Sequence, residues 1–523
     1  MIPRLDMQED SSFSVPAGRR HASVWSAIFG YCTLAVVVAR NIVLVPVYLR
    51  FISLSEYGAW LATGATLLQL VLTDFGLAGV LAQRAATLHG ARQAERLGPL
   101  IGSGLAATFV FAFALSAASL VGVCFLPALQ GLTTAEALRV KQCLMLAVIS
   151  GGLGIIAAMS QALVRSFQQA IVAGATVLVA DVASIGVTVL LIFSGHGLFA
   201  LAIGLAVRSA LVAGVLTYHL LRVCRRQLGL RLDVRWTELK ELLADSARTF
   251  VSAAAMKLQT QSNTLLIGIF LGSASAGMYG LTVRAYETIL TFLSQLTGAI
   301  APSLSHLLGA GNVARFRVLI LRMVPAVALL AGVGLVAMIA VNESFLSLWV
   351  GRQAFAGQSV SVLTGVAVWL AAVSLVAYDA LYALARFNVI ARTYVLSSII
   401  HVVLLGIFLR WGLWVAPAIA ILSTLLWGAL FWKDLARQVQ LTLTDLRVTL
   451  MDLLLIAVAA VASLLLVIAL HVKATGWGAL IFEGAASCLL ALTLILTAGV
   501  RIRAIVKEEV HTTWQSLARS HAG

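Results

Sequence analysis

Charged residues are scarce in this chain of 523 residues. Asp, Glu, Lys and Arg together make up 11% of it, whereas 61% of the residues are hydrophobic. A soluble domain carries about 25% charged residues, so this composition excludes an ordinary soluble fold. Apolar runs of roughly 20 residues are long enough, as helices, to cross a bilayer core of about 30 Å. We therefore predict an all-α, polytopic membrane protein.

Motifs of catalytic and metal centres are also missing. The sequence has no P-loop, nucleophile elbow, HExxH or paired CxxC motif, and its five cysteines show no metal-ligand spacing. The longest outer loop, 342–358, has about 17 residues, too few for a water-exposed catalytic domain. We therefore expect no enzymatic activity, no cofactor and no metal site, and we disfavour a membrane glycosyltransferase or polymerase.

Fourteen stretches have the length and apolarity of transmembrane helices. They are 25–49, 57–82, 99–126, 142–164, 170–194, 198–221, 249–271, 276–302, 318–341, 359–384, 393–410, 413–432, 449–471 and 477–500. We therefore expect about fourteen transmembrane helices.

Basic residues are unevenly distributed among the connecting segments. Most of the 36 Lys and Arg fall in the N-terminal tail, the even-numbered connections and the C-terminal tail. Basic residues accumulate on the cytoplasmic side of membrane proteins, so we expect both termini to be cytoplasmic and no cleaved signal peptide before the first span. The net charge of +15 then follows mainly from topology. It allows contact with anionic membrane lipids, and we expect no nucleic-acid partner.

An internal repeat relates the two halves of the chain. Residues 41–58 (NIVLVPVYLRFISLSEYG) align without gaps to residues 263–280 (NTLLIGIFLGSASAGMYG), with six of eighteen positions identical. The repeat superposes span 1 on span 7 and span 2 on span 8, so the copies have the same orientation in the membrane. We predict two six-helix lobes related by a pseudo-twofold axis along the membrane normal, plus two extra C-terminal helices.

The predicted domain boundaries follow the spans. The largest cytoplasmic connection, 222–248, carries seven basic and four acidic residues and is predicted to be a solvated linker containing an amphipathic surface helix. The predicted segments are an N-terminal tail 1–24, an N-lobe 25–221 with spans 1–6, the basic linker 222–248, a C-lobe 249–432 with spans 7–12, spans 13–14 within 449–500, and a C-terminal tail 501–523.

Five segments resemble polysaccharide-transport (Wzx-like) proteins of the multidrug/oligosaccharidyl-lipid/polysaccharide (MOP) exporter superfamily: VPVYLRFISLSEYGAW, LVLTDFGLAGVLAQRAATLHG, NTLLIGIFLGSASAGMYGLTVRAYE, AIAPSLSHLLGAG and LSLWVG. The resemblance covers nearly the whole chain. It implies a V-shaped, two-lobe transporter in the bacterial inner membrane that flips lipid-linked oligosaccharides carried on undecaprenyl pyrophosphate. It also implies a polysaccharide polymerase and a chain-length regulator as partners. One departure is that Ser262 and Asn263 stand where many relatives carry an acidic residue.

Three basic side chains lie deep inside predicted spans, where a charge is costly unless it faces water or a partner. They are Arg40 on span 1, Lys257 on span 7 and Arg284 on span 8. The repeat places these helices along a central cleft, and Arg and Lys satisfy the charge and acceptor oxygens of a pyrophosphate. We predict that the three bind the pyrophosphate headgroup. The alternative for Arg284 is a private pair with Glu287, one turn away.

The inner half of span 7 is too polar to face lipid. Gln259, Gln261 and Asn263 lie there, and Asn41 occupies the repeat position of Asn263 on span 1. We predict that these four side chains line a polar cavity, in which amides hydrogen-bond sugar hydroxyls.

Acidic side chains inside the spans have two interpretations. Asp74, Asp379 and Glu287 are candidates for ion coupling, because no nucleotide-binding motif supplies energy for transport. The alternative for Asp74 and Asp379 is that each caps a neighbouring helix end. Asp181 in span 5 and Arg208 in span 6 fall near the midplane of adjacent antiparallel helices, so we predict that they form a structural pair.

These patterns leave two transport functions open. The first is a lipid-linked oligosaccharide flippase that works by alternating access of two lobes. The second is a cation-coupled multidrug antiporter of the same superfamily, which would favour an acidic, aromatic cavity.

Overall fold

The computed structural model describes residues 17–65, 77–90, 93–124, 132–167, 169–309, 312–384, 386–470 and 475–499. In these ranges the regular structure is helical, without β-strands, which confirms the all-α prediction. Fifteen α-helices follow one another: α1 (Ala17–Phe51), α2 (Leu54–Ala59), α3 (Leu77–Gly90), α4 (Ala94–Cys124), α5 (Thr134–Ser166), α6 (Ala170–Phe193), α7 (Phe199–Arg222), α8 (Trp236–Phe270), α9 (Ser273–Gly309), α10 (Val313–Trp349), α11 (Gln358–Ala383), α12 (Phe387–Phe408), α13 (Val415–Gln438), α14 (Leu443–Leu470) and α15 (Trp477–Ala498).

Ten helices within the described part of the chain are long and apolar enough to cross a membrane. Hydrocarbon offers no hydrogen-bond partners to the peptide backbone, whereas a helix satisfies its backbone groups internally. Apolar runs of this length therefore fold as helices. The protein is a multi-pass membrane protein. The exact number of fourteen spans remains a prediction.

The helices form two compact units. The first comprises Met1–Val45, Gly76–Ser119 and Leu146–Ser246, and the second comprises Pro46–Phe75, Leu120–Met145 and Ala247–Gly523. These bounds differ from the predicted lobes, because two segments of the N-terminal half belong to the second unit.

Close backbone contact explains why α2 belongs to the second unit. A Cβ atom on Gly58 would lie 1.9 Å from the carbonyl oxygen of Ser273 at the start of α9, so only glycine allows the two helices to approach this closely. An ion pair anchors the same region, with Arg139 Nη2 on α5 2.8 Å from Glu56 Oε1 on α2. The helix continues beyond α2 as a π-helical turn, Trp60–Ala65.

Within the predicted linker 222–248, most residues from 231 to 241 are exposed, and α8 begins inside it. α8 begins at Trp236 and runs without interruption to Phe270, so residues 236–248 extend a long helix instead of forming a separate surface helix. The segment before it is docked on α4: the Arg235 backbone N–H donates to Ser103 Oγ at 2.9 Å, and Leu230 is buried. Apolar side chains at intervals within the basic segment hold it against the first unit.

Each unit has its own apolar core. In the first unit, Leu81, Leu100 and Leu163 are fully buried on α3, α4 and α5. In the second, the core centres on α9–α13 and includes the large side chains Tyr286 and Phe431. This second core surrounds the polar site described next.

Candidate functional site

α8 carries a buried polar stripe within the second unit. Gln259 and Asn263 are one turn apart and therefore share one helix face, and each is 9% exposed. Lys257 and Gln261 lie on other faces of the helix and are half-buried. Buried amides require hydrogen-bond partners, and α12 and α13 supply them.

His401 on α12 is the centre of the resulting network. Its Nε2 lies 2.9 Å from Asn263 Oδ1, and its Nδ1 lies 3.0 Å from Ser423 Oγ on α13. Gln259 Nε2 donates to the same Ser423 Oγ at 3.0 Å, and Ser397 Oγ donates to Gln259 Oε1 at 3.5 Å. The network links three helices, and the imidazole is 1% exposed.

A cavity of about 240 Å³ opens beside this network. Gln259, Asn263, His401 and Ser423 all line it. Tyr279 and Glu287 on α9, Thr364 on α11, Tyr394 on α12, and Trp427 on α13 complete its polar and aromatic wall. Gln261, predicted to line a polar cavity, is not among the residues that form this one.

The predicted headgroup cations fall in both units. Arg40 lies on the part of α1 in the first unit and is half-buried. Lys257 lies on α8 in the second unit, two residues before Gln259. Arg284 forms an ion pair with Glu287 on α9, with 3.7 Å between Nη1 and Oε2. In this pair the side chain of Arg284 is 44% exposed and that of Glu287 is 57% exposed, so the guanidinium of Arg284 stays accessible.

The remaining coupling and cavity candidates differ in their surroundings. Asp379 on α11 is half-buried, and the Thr297 hydroxyl of α9 donates to the backbone carbonyl of Ser294 at 3.2 Å. Asp74 and the side chain of Asn41 lie outside the described residues, so their roles remain predictions.

Asp181 and Arg208 are in direct contact within the first unit. Arg208 Nε on α7 lies 2.5 Å from Asp181 Oδ1 on α6. Asp181 is 1% exposed. The helices also meet at Gly204, whose carbonyl accepts a hydrogen bond from Ser184 Oγ at 2.7 Å. The pair thus lies in a tight interface between two neighbouring helices.

Sequence reasoning missed His401, because it searched the spans for formal charges and a neutral histidine carries none. A signal was nevertheless present. Ser397 and Ser398 precede His401 by four and three residues and therefore share its helix face, so span 11 has a polar face of its own. This polar face would have marked His401 as a buried polar side chain that needs hydrogen-bond partners, although not which helix supplies them.

The chemistry available at the site is hydrogen bonding and proton transfer. Amides and hydroxyls donate and accept hydrogen bonds, and an imidazole has two ring nitrogens that can donate, accept or bind a proton. Within the described residues, no group of three or more His, Cys, Asp or Glu side chains is placed to hold a metal ion.

The fold is similar to those of solved transporters. A structure of lipid II flippase MurJ in an inward closed conformation matches with a TM-score of 0.64 and 12% identity, over 91% of this chain and 100% of that chain. An inward-facing multidrug resistance MATE family transporter of the MOP superfamily matches with a TM-score of 0.57 and 14% identity, over 74% and 93%. A eukaryotic MATE transporter matches with a TM-score of 0.53 and 18% identity, over 81% and 99%. At these identities the likeness shows the fold alone.

The helical fold is thus like the fold of these transporters. No curated protein matches the chain by sequence. A family model described as polysaccharide biosynthesis protein matches residues 47–354, more than half of the chain. The chain belongs to this family.

Proposed function

We propose that this protein flips undecaprenyl-pyrophosphate-linked oligosaccharide repeat units across the bacterial inner membrane, by alternating access of two lobes. The observation that carries the proposal is the polysaccharide biosynthesis family match over residues 47–354, which includes most of the first repeat copy and all of the second. The fold shared with a lipid II flippase supports a lipid-linked substrate.

The basic side chains within the spans support a pyrophosphate headgroup. Lys257 and Arg284 occur in the second unit and Arg40 in the first, and each brings donors suited to phosphate oxygens. In this proposal the headgroup binds these cations, polar side chains of α8 contact the sugars, and the lipid tail stays in the bilayer. Both termini are cytoplasmic, and the polymerase and chain-length regulator act on the flipped product.

A multidrug antiporter is the second candidate, and one observation favours it. The cavity of the second unit combines Glu287 with Tyr279, Tyr394 and Trp427, a set that suits an organic cation. Its volume of about 240 Å³ is below the roughly 300–1,000 Å³ of drug-sized sites. This cavity alone is therefore too small for a drug-sized cation, which weakens the antiporter as a candidate.

Deletion and complementation in the native host test the proposal. Loss of the gene should abolish the surface polysaccharide and cause the lipid-linked repeat unit to accumulate on the cytoplasmic leaflet, while drug susceptibility stays unchanged. A wild-type copy, or one carrying the control change Arg315→Ala at an exposed site, should restore the polysaccharide. Normal surface polysaccharide with increased drug susceptibility would instead support the antiporter.

A further inference from the structure

The network around His401 contains no carboxylate, so its proton count can be followed atom by atom. A carbonyl oxygen only accepts hydrogen bonds, so the contact with Asn263 Oδ1 at 2.9 Å requires a proton on His401 Nε2. The state of Nδ1 then depends on Ser423, whose Oγ lies 3.0 Å away. This oxygen already accepts from Gln259 Nε2 at 3.0 Å.

The Ser423 hydroxyl has two possible acceptors for its single proton. It lies 3.1 Å from the carbonyl oxygen of Ala420 and 3.0 Å from His401 Nδ1. When the imidazole is neutral, the hydroxyl points to Nδ1. When the imidazole is protonated, Nδ1–H donates to the second lone pair of Ser423 Oγ, and the hydroxyl turns to Ala420. Both protonation states are therefore fully hydrogen-bonded without movement of any heavy atom.

Water can reach this network through the cavity. His401, Ser423 and Asn263 all line it, and its volume of about 240 Å³ accommodates several water molecules at about 30 Å³ each. A proton supplied by the acidic aqueous phase can travel along such waters to the network and bind at Nδ1, so no hydroxide is left behind. A histidine that only fills the core would need neither polar neighbours nor a cavity beside it.

The titratable groups that line the cavity come from two helices. α9 contributes Glu287 and Tyr279, and α12 contributes Tyr394 as well as His401. Glu287 is paired with Arg284 at 3.7 Å. The lining residues of α8, α11 and α13 carry no formal charge.

Further charges on the surrounding helices do not line the cavity, among them Arg392 on α12 and Lys433, Asp434 and Arg437 on α13. Lys257 is on α8, on a different face from Asn263. Asp379 is on α11, close enough to influence Tyr394. Glu287 is thus the acidic group at the cavity wall, and its charge is already paired with Arg284.

We propose that His401 is a proton-binding site through which a proton gradient drives transport. The inference rests on the proposed function for the identity of the cargo, but the proton site itself does not. One proton is taken up at Nδ1 from one side and released to the other in each cycle. Because the network joins α8, α12 and α13, the charge of a protonated His401 acts where these three helices meet.

The test has one arm that needs no cargo. ¹⁵N-histidine NMR of the full-length protein in lipid bilayers should show one signal, absent in His401→Gln, that converts from neutral to doubly protonated imidazole as pH is lowered. Ser423→Ala should shift the midpoint of that conversion, while Ser398→Ala, whose hydroxyl donates to the Ala255 backbone and not to the ring, should not. A His401 signal that stays neutral until the protein unfolds would overturn the proposal.

The second arm measures flipping in proteoliposomes loaded with a fluorescent undecaprenyl-pyrophosphate-linked oligosaccharide. A gradient of one pH unit, acidic on the receiving side, should shift the distribution of the lipid by up to about tenfold for one proton per lipid. His401→Gln should abolish the shift, and the exposed-loop control His196→Gln should retain it. A shift retained in His401→Gln, or lost only in Asp74→Asn, would overturn the proposal.

The two arms separate the failures. If the NMR signal titrates as expected but no protein flips the lipid, then the proposed cargo is wrong and the proton site stands. If the wild type flips the lipid with no response to the gradient, the cargo stands and His401 does not drive transport.

Discussion

Arg208 Nε lies 2.5 Å from Asp181 Oδ1 across the interface of α6 and α7. The carboxylate is 1% exposed, whereas the Arg208 side chain is 34% exposed. Removing one partner of a buried pair leaves an uncompensated charge and costs about 3 to 5 kcal/mol, whereas replacing both with apolar residues is often nearly neutral. This asymmetry yields the first prediction.

We expect Asp181→Ala and Arg208→Ala each to lower the melting temperature and the yield of the purified protein. The double variant should melt closer to the wild type than either single variant does. Thermal unfolding in detergent, followed by tryptophan fluorescence, measures the difference. An equal loss in all three variants would argue against a structural pair and make Asp181 a candidate for proton binding.

The second prediction concerns the contact between α2 and α9. Gly58→Ala places a methyl group against the backbone of Ser273, where the neighbour cannot move as a side chain would, and overpacking of this kind costs about 1 to 3 kcal/mol. The matched control is Gly214→Ala on α7, because a Cβ there meets nothing within 4 Å. Alanine is the better helix former, so the control should melt at the wild-type temperature or above. Equal melting of the two variants would contradict the contact.

The third prediction concerns the headgroup cations. Arg40→Ala and Lys257→Ala should reduce surface polysaccharide at least tenfold without changing the protein level, because each removes donors and charge for the pyrophosphate. Lys257→Arg should restore much of the export. The control is Arg315→Ala, which removes one positive charge from an exposed position. Quantitative glycan staining is the measurement. Normal export by the Ala variants would place the headgroup site elsewhere.

The fourth prediction concerns topology. The asymmetry of basic residues places Gly523 in the cytoplasm and Ala356, in the connection between α10 and α11, on the outer side. Reporter fusions at these two positions should therefore label opposite sides of the membrane. Labelling on one side only would disprove the predicted topology.

The sequence predicted those features that depend on local composition. Apolar runs predicted the helical fold, because a helix is the simple way to satisfy a backbone in hydrocarbon. The spacing of Gln259 and Asn263 predicted one buried polar face on α8, because helix geometry alone sets which residues share a face. Asp181 and Arg208 could be placed at equal depth because their helices are neighbours in the chain.

The partners of the polar face were not predictable in the same way. His401 lies 138 residues after Asn263, and no spacing rule connects residues that meet only through tertiary packing. The contact of Gly58 with Ser273 is of the same kind, since it depends on two backbones approaching each other. The start of α8 within the linker was likewise not predictable from its charge, because buried apolar side chains such as Leu230 and Leu242 decide where this segment packs.

Flipping by the purified protein is the most direct test of the central claim. In proteoliposomes that contain a fluorescent undecaprenyl-pyrophosphate-linked oligosaccharide, flipping should bring label from the inner leaflet to the outer leaflet, where a membrane-impermeant quencher reaches it. The rate of quenching should rise with the amount of protein. Lys257→Ala proteoliposomes should behave like protein-free vesicles, and Arg315→Ala proteoliposomes like the wild type. Equal exposure in wild-type and protein-free vesicles, with the same wild-type preparation exporting an organic cation such as ethidium, would contradict the account.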